Sequence, residues 1–150
     1  MSTSKIPPLL LMLLFAVLML VVTALPPGAT RFTGQIPLAL GLLALSCVLL
    51  LSALASFLKA RTSVNPRRPG DASRIVTSGA YRLSRNPMYL GFVLLLAAWA
   101  VLLAHPLSAI LVPLFGACLY HWQILPEERV LERKFGEAFV EYKSRVRRWI

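Results

Sequence analysis

The sequence predicts an all-α integral membrane protein of about four transmembrane helices plus a C-terminal amphipathic helix. Three observations carry that expectation. Of the 150 residues, 57% are hydrophobic, against roughly 45–50% in an average soluble domain. The excess falls into four blocks, Ile6–Leu25, Ile36–Leu58, Met88–Ala104 and Leu107–Leu125, none of which holds an Asp, Glu, Lys or Arg. Each approaches or exceeds the roughly 17–25 helical residues that cross a hydrocarbon core. The net charge of +10 is also unevenly placed, in the manner of membrane topology rather than of a nucleic-acid surface.

The first span starts after Lys5 and stops at Pro26-Pro27-Gly28, because two prolines and a glycine cannot continue a helix. Lys5, the apolar run and Val22-Thr23-Ala24 share the form of a signal peptide with a small-residue cleavage site. The run is longer than a usual h-region, which favours a retained span. The second span carries Gly41, Ala44, Ser46, Ser52, Ala53, Ala55 and Ser56. Small residues let helices approach closely in lipid, so these predict a packing face.

Between the second and third spans, Thr62–Asp71 is rich in Pro, Arg, Asn and Gly and predicts an irregular loop. Asn86-Pro87 marks the start of the third span, since proline suits a first helical turn and restricts the residue before it. The third and fourth spans form a hairpin turning at His105-Pro106, with His105 expected at the far surface. Pro113 is expected to kink the fourth span, which ends in the polar-aromatic patch Tyr120-His121-Trp122-Gln123. Cys47 and Cys118 lie inside spans without metal-ligand spacing and are expected to be small packing residues, so no metal is implied.

From residue 127 to about 147, Leu131, Phe135, Ala138, Phe139, Tyr142 and Val146 recur at spacings of three and four among charges. That pattern predicts an amphipathic helix at the membrane surface or capping the bundle. Pro126 and the acidic pair Glu127-Glu128 suit its first turn, so the bland reading of the two glutamates is helix capping.

Lys59, Arg61, Arg67, Arg68, Arg74, Arg82 and Arg85 crowd the loop 59–87 against Asp71 alone, and seven basic residues follow Pro126 against five acidic ones. The loop at 26–35 has only Arg31, and the His105 hairpin has no Lys or Arg. The positive-inside rule then places both termini and the loop 59–87 in the cytoplasm, with residues 1–150 forming one multi-pass, membrane-embedded domain. The basic excess reflects that topology and attraction to anionic membrane lipids, and no nucleic-acid-binding fold is visible.

The short hairpin brings the start of the third span beside the end of the fourth. Tyr81, Arg85, Asn86 and Tyr89 are therefore expected to face His121, Gln123, Glu127 and Glu128. Two carboxylates, hydrogen-bond donors and aromatic faces next to apolar walls form a default ligand site. Such a site suits a cationic or zwitterionic cosubstrate and a lipophilic acceptor.

Val76-Thr77-Ser78-Gly79-Ala80-Tyr81, Arg85-Asn86-Pro87-Met88-Tyr89-Leu90-Gly91, Glu127-Glu128, Phe135-Gly136 and Glu141-Tyr142-Lys143 occur in that order. Together they resemble the isoprenylcysteine carboxyl methyltransferase and phospholipid methyltransferase superfamily over about half the chain. The resemblance implies an S-adenosylmethionine-dependent methyltransferase whose membrane-embedded pocket lacks a Rossmann sheet. Cofactor contacts would fall on the strand-like Ile75-Val76, on Tyr81, Asn86, Pro87, Met88 and Tyr89, and on Glu127. Glu128, Arg85 and Tyr89 are the catalytic candidates, and Gln123 and His121 the acceptor-binding ones. Where the isoprenylcysteine enzymes have Arg-His-Pro, this chain has Arg85-Asn86-Pro87, and Asn cannot carry a proton in catalysis. Those enzymes resemble one another in an Arg four residues before the first glutamate, where this chain has Gln123. Gln cannot make a bidentate, charge-assisted contact to a carboxylate. An amine, thiol, phenol or lipid headgroup is thus at least as good an acceptor as a prenylcysteine carboxylate.

Two other readings compete. One is a non-catalytic module of the same fold that binds a lipid or a partner protein. The other is a nicotinamide-dependent reductase, for which 150 residues leave little cofactor-binding sequence.

Overall fold

The computed structural model describes residues 6–60 and 75–150. The irregular loop expected at Thr62–Asp71, with Arg61, Arg67, Arg68 and Arg74, lies outside the described residues. Six α-helices follow in order: α1 Pro8–Val21, α2 Gln35–Ala60, α3 Pro87–Leu103, α4 Pro106–Leu119, α5 Leu125–Phe135 and α6 Glu137–Arg145. A 3-10 turn, Val22–Ala24, ends α1, and a second, Gly79–Arg82, precedes α3. Among the described residues there is no strand, so the strand-like expectation for Ile75-Val76 is corrected: these residues run irregularly into the Gly79 turn.

Proline starts the apolar helices where expected. Pro8, Pro87 and Pro106 each occupy the first turn of their helix, where no backbone donor is lost to the helix. Two helices are long and apolar enough to cross a bilayer: the 26 residues of α2, and an unbroken 30-residue run from Pro106 to Phe135. The stretch Pro8–Ala24 and helix α3 are equally apolar in character but shorter. Their outer walls are apolar too. On α2, Val48, Leu51 and Leu58 are 62%, 66% and 67% exposed, and α1 shows Leu10, Leu14, Val17 and Val21 on its surface. Apolar exposure on this scale marks a surface built for lipid or a partner, and here it accompanies spanning-length helices.

Inside, Leu11, Phe15 and Met19 of α1 meet Leu96 of α3 and Phe115 and Leu119 of α4. The rings of Phe15 and Phe115 lie 5.3 Å apart, tilted by 57°. Helix pairs are also pinned by side chains bonding to a neighbour's backbone, a favoured device where lipid offers no hydrophobic drive between helices. Ser46 Oγ donates to the Gly91 carbonyl (2.8 Å), Trp99 Nε1 to that of Ala16 (3.1 Å), and Ser108 Oγ to that of Met19 (2.9 Å).

The α2–α3 crossing explains Gly91. A Cβ there would sit 2.7 Å from Leu50 Cγ, so only glycine permits the approach. The packing face of α2 is narrower than its small residues suggest. Ser46, Ala53 and Ser56 are buried as expected, whereas Gly41, Ala44 and Ala55 are exposed. Cys118 packs against the core, but Cys47 faces outward rather than packing.

Three further expectations are corrected. His105 is the turn residue before α4 but is buried, with Nε2 3.0 Å from the Leu25 carbonyl, because the Leu25–Thr30 segment folds over the hairpin. The helix of the fourth apolar block does not stop near residue 125: a π-turn, Tyr120–Ile124, joins α4 to α5 without a break. The single helix expected over 127–147 divides at Gly136, whose φ of 53° is accessible to glycine at little cost.

Candidate active site

Local sequence prepares each side of the site. Gly79 adopts φ 59°, and a Cβ there would run into Ser56 Oγ of α2, so the glycine lets this turn dock on α2. Docking buries Tyr81 against Phe57, ring centroids 5.3 Å apart and edge to face, with Val76, Ala53 and Met88 around it. Tyr142 of α6 closes over the turn by donating to the Tyr81 carbonyl at 2.7 Å. Burial raises the Tyr81 hydroxyl well above its usual pKa, and the charge of Glu127 raises it further. Burial likewise pushes Tyr142 up to about 12, opposed in part by the Arg85 guanidinium. Both phenols are neutral at physiological pH.

On the opposite side, the π-turn accommodates an extra residue between α4 and α5. Single π-turns within α-helices recur at functional sites. The Leu125 amide already bonds to the Tyr120 carbonyl, so α5 has no free N-terminus for acidic side chains to cap. Glu127 and Glu128 instead reach across to other elements. Tyr89 Oη, on the first turn of α3, donates to Glu127 Oε2 at 2.8 Å. Glu128 is gripped by Arg148, with Nε at 3.1 Å from Oε1 and Nη2 at 2.7 Å from Oε2. Arg85 Nη1 lies 3.2 Å from the same Oε1.

The strap Arg147–Trp149, which follows α6, runs along the entrance to α3. Arg85 N–H donates to the Arg147 carbonyl at 3.0 Å, and the Arg148 carbonyl accepts from Asn86 Nδ2 at 3.0 Å and Ser84 Oγ at 3.3 Å. Asn86, at the N-cap of α3, thus spends its amide on the strap rather than on the helix. Arg148 also stacks 5.1 Å from the Tyr120 ring centroid and donates to its hydroxyl at 3.3 Å. Trp149 packs against the core.

The structure therefore brings together Tyr81, Arg85, Asn86, Tyr89, Glu127 and Glu128, with Pro87 buried at the helix start and Met88 beside Tyr81. Ile75 and Val76 lead into the Tyr81 turn, and Val76 is buried with it. The two remaining candidates stand apart. His121 is exposed, its ring edge-on to Tyr120 at 4.9 Å, and buried Gln123 donates through Nε2 to the Ile6 carbonyl at 2.7 Å. Sequence reasoning missed Arg148, Tyr120 and the strap carbonyls as site components. The pair Arg147-Arg148 reads as generic basic tail, and nothing in its spacing points to Glu128, 20 residues earlier.

Residues 35–138 match the phospholipid methyltransferase family, which includes most of the site and both spanning-length helices. The chain belongs to that family. It is 41% identical over 63 residues to an uncharacterized protein of Haemophilus influenzae, a match covering 42% of this chain and all of that protein. It is 36% identical over 73 residues to protein-S-isoprenylcysteine O-methyltransferase B of Arabidopsis thaliana, covering 49% of this chain and 37% of that one. With a probable protein-S-isoprenylcysteine O-methyltransferase of Oryza sativa subsp. indica, identity is 34% over 76 residues, covering 51% and 40%. The chain thus spans well under half the length of the named methyltransferases it matches. No solved structure matches it.

Proposed function

We propose that this protein is an integral-membrane methyltransferase that uses S-adenosylmethionine and acts on a lipophilic acceptor at the cytoplasmic face. The observation that carries the reading is the Tyr89–Glu127 pair beside Tyr81, set where α3 begins and α4 passes into α5. Its donor set fits the cosubstrate. Glu127 supplies a carboxylate for an ammonium group, and Tyr81 and Tyr89 supply rings that favour a nearby sulfonium cation. When bound, the cosubstrate supplies an electrophilic methyl group.

The chain's own residues then position and exclude water. Tyr89 orients Glu127 by its hydrogen bond. Glu128, held by Arg148 and approached by Arg85, acts as an anchor for the guanidinium groups rather than as a proton acceptor. Asn86 fixes the entrance of α3 through the strap. An acceptor that arrives already deprotonated, such as a thiolate or an unprotonated amine, suits this arrangement. The four apolar blocks would act as four spans of one domain over residues 1–150, with both termini and the loop 59–87 cytoplasmic. The acceptor would reach the site from the surrounding lipid.

The test is calorimetric binding of S-adenosylmethionine and S-adenosylhomocysteine to the protein in nanodiscs, followed by transfer of labelled methyl to candidate lipids. Micromolar binding of both is expected. Folded protein that binds neither overturns the assignment and leaves a non-catalytic module of the same fold.

A further inference from the structure

We propose that the cavity at the start of α2 binds the headgroup of one anionic phospholipid, on the face of the protein opposite the candidate active site. The two sites lie at the ends of one helix. Gln35 opens α2, and Phe57, near its other end, packs on Tyr81. At 1.5 Å per residue these positions are about 33 Å apart, close to the thickness of a hydrocarbon core.

Two attachments to the end of α3 build the cavity. Thr30 donates to the Ala104 carbonyl through its N–H and, at 3.1 Å, through its Oγ1. Gln35 Nε2 donates to the Leu102 carbonyl at 3.0 Å. The residues between Thr30 and Gln35 are thereby bracketed against α3. Gly34 completes the bend at φ 89°, a conformation that costs glycine little, and its carbonyl accepts the Leu38 N–H at 3.0 Å. The space so framed is about 410 Å³, within the roughly 300–1,000 Å³ of ligand sites. Arg31 and Gln35 supply its polar lining, and Phe32, Ile36, Pro37 and Leu102 its apolar walls.

Arg31 is the only Lys or Arg between residues 6 and 58, and apart from Asp71 in the loop 59–87 the chain has no Asp or Glu before Glu127. Among the described residues no acidic side chain pairs with Arg31. An unpaired guanidinium matches two oxygens of a phosphate. With no carboxylate at this end, nothing can hold the ammonium of a zwitterionic headgroup, so a lipid of net negative charge is favoured. The walls select a lipid over a soluble anion. Phe32, Ile36 and Leu102 are exposed beside the cavity, and Ile36 continues into exposed Leu40 and Leu43 down the outside of α2. Residues three and four apart share a helix face, which gives an acyl chain a continuous apolar track.

The test places wild type and Arg31→Gln in nanodiscs containing equal phosphatidylglycerol and phosphatidylcholine, and reads retained lipids by native mass spectrometry. Wild type should prefer phosphatidylglycerol about 2- to 5-fold more strongly than Arg31→Gln, the scale of one exposed charge pair. Basic residues elsewhere are common to both proteins and cancel in that comparison. Amide hydrogen exchange locates the contact: exchange across residues 30–36 should slow when phosphatidylglycerol replaces phosphatidylcholine, in wild type and not in Arg31→Gln. Equal lipid preference in the two folded proteins overturns the proposal. So does exchange at 30–36 that ignores the lipid in wild type, a result that needs no variant to fold. Equal slowing by inorganic phosphate in phosphatidylcholine nanodiscs would show a site for a soluble anion and overturn the lipid assignment. Neither readout uses the cosubstrate, so the result stands whether or not the proposed function holds.

Discussion

Replacing Glu127 by Gln removes a charge while keeping the shape of the side chain, so it isolates what the charge does. Tyr89 Oη donates to Glu127 Oε2 at 2.8 Å, and the amide oxygen of Gln can accept the same bond. The folded state should therefore lose about 1 kcal/mol or less, the difference between a charge-assisted and a neutral hydrogen bond. Cosubstrate binding should lose far more. A carboxylate facing an ammonium group contributes about 1.5–3 kcal/mol, which corresponds to roughly 10- to 100-fold in affinity. Two measurements on one preparation separate the effects: a thermal melt without ligand, and calorimetric titration with S-adenosylhomocysteine. The expected outcome is a nearly unchanged melt with a strongly raised Kd. Equal affinity of Glu127→Gln and wild type would refute the role of Glu127. A large fall in melting temperature would instead show the pair to be chiefly structural.

Other outcomes follow from single contacts. Gly91→Ala places a methyl 2.7 Å from Leu50 Cγ, so a loss of about 1–3 kcal/mol is expected from overpacking, with recovery in Gly91→Ala/Leu50→Ala; denaturation in detergent checks both. Gln123→Leu removes the bond to the carbonyl of Ile6, an exposed residue, and should lower stability by about 0.5–1.5 kcal/mol, the net worth of one hydrogen bond, which a melt without ligand would detect. Tyr142 gives a pH effect: burial pushes its hydroxyl from the ordinary tyrosine value of about 10 up to about 12, so the folded state keeps a proton that the unfolded state releases. Stability should be intact below pH 10 and fall as the pH rises from there toward about 12. Tyr142→Phe should show a smaller alkaline loss, with the share due to buried Tyr81 remaining, while being less stable at neutral pH, and melting curves across the alkaline range would reveal both.

Much of the architecture was legible because its signals are local. Charge-free blocks marked the apolar helices and two of their starts to within a residue, Ile36 against Gln35 and Met88 against Pro87, the latter at a proline. The π-turn was invisible, since Tyr120–Ile124 carries no breaker and a helix with one extra residue per turn leaves no composition signal. The division at Gly136 had a visible glycine, but the apolar spacing continued across it and masked the break. His105 was misjudged because its burial depends on the Leu25–Thr30 segment folding over it, a contact about 80 residues away in sequence.

By itself, the sequence determined the helical class, the lipid-like exterior and the meeting of the Tyr81–Gly91 motif with Glu127 and Glu128. Hydropathy, proline placement and a short hairpin suffice for these. Only the tertiary structure decided how the two glutamates differ. Glu127 takes the Tyr89 hydroxyl, while Glu128 is held by Arg148 and approached by Arg85. Adjacent residues on a helix face different directions, so their partners depend on where neighbouring elements lie, and no pattern along the chain encodes that. The strap beside α3 is the clearest case. Its carbonyls orient Arg85 and Asn86 through backbone groups, which every residue possesses and which therefore leave no mark in the sequence.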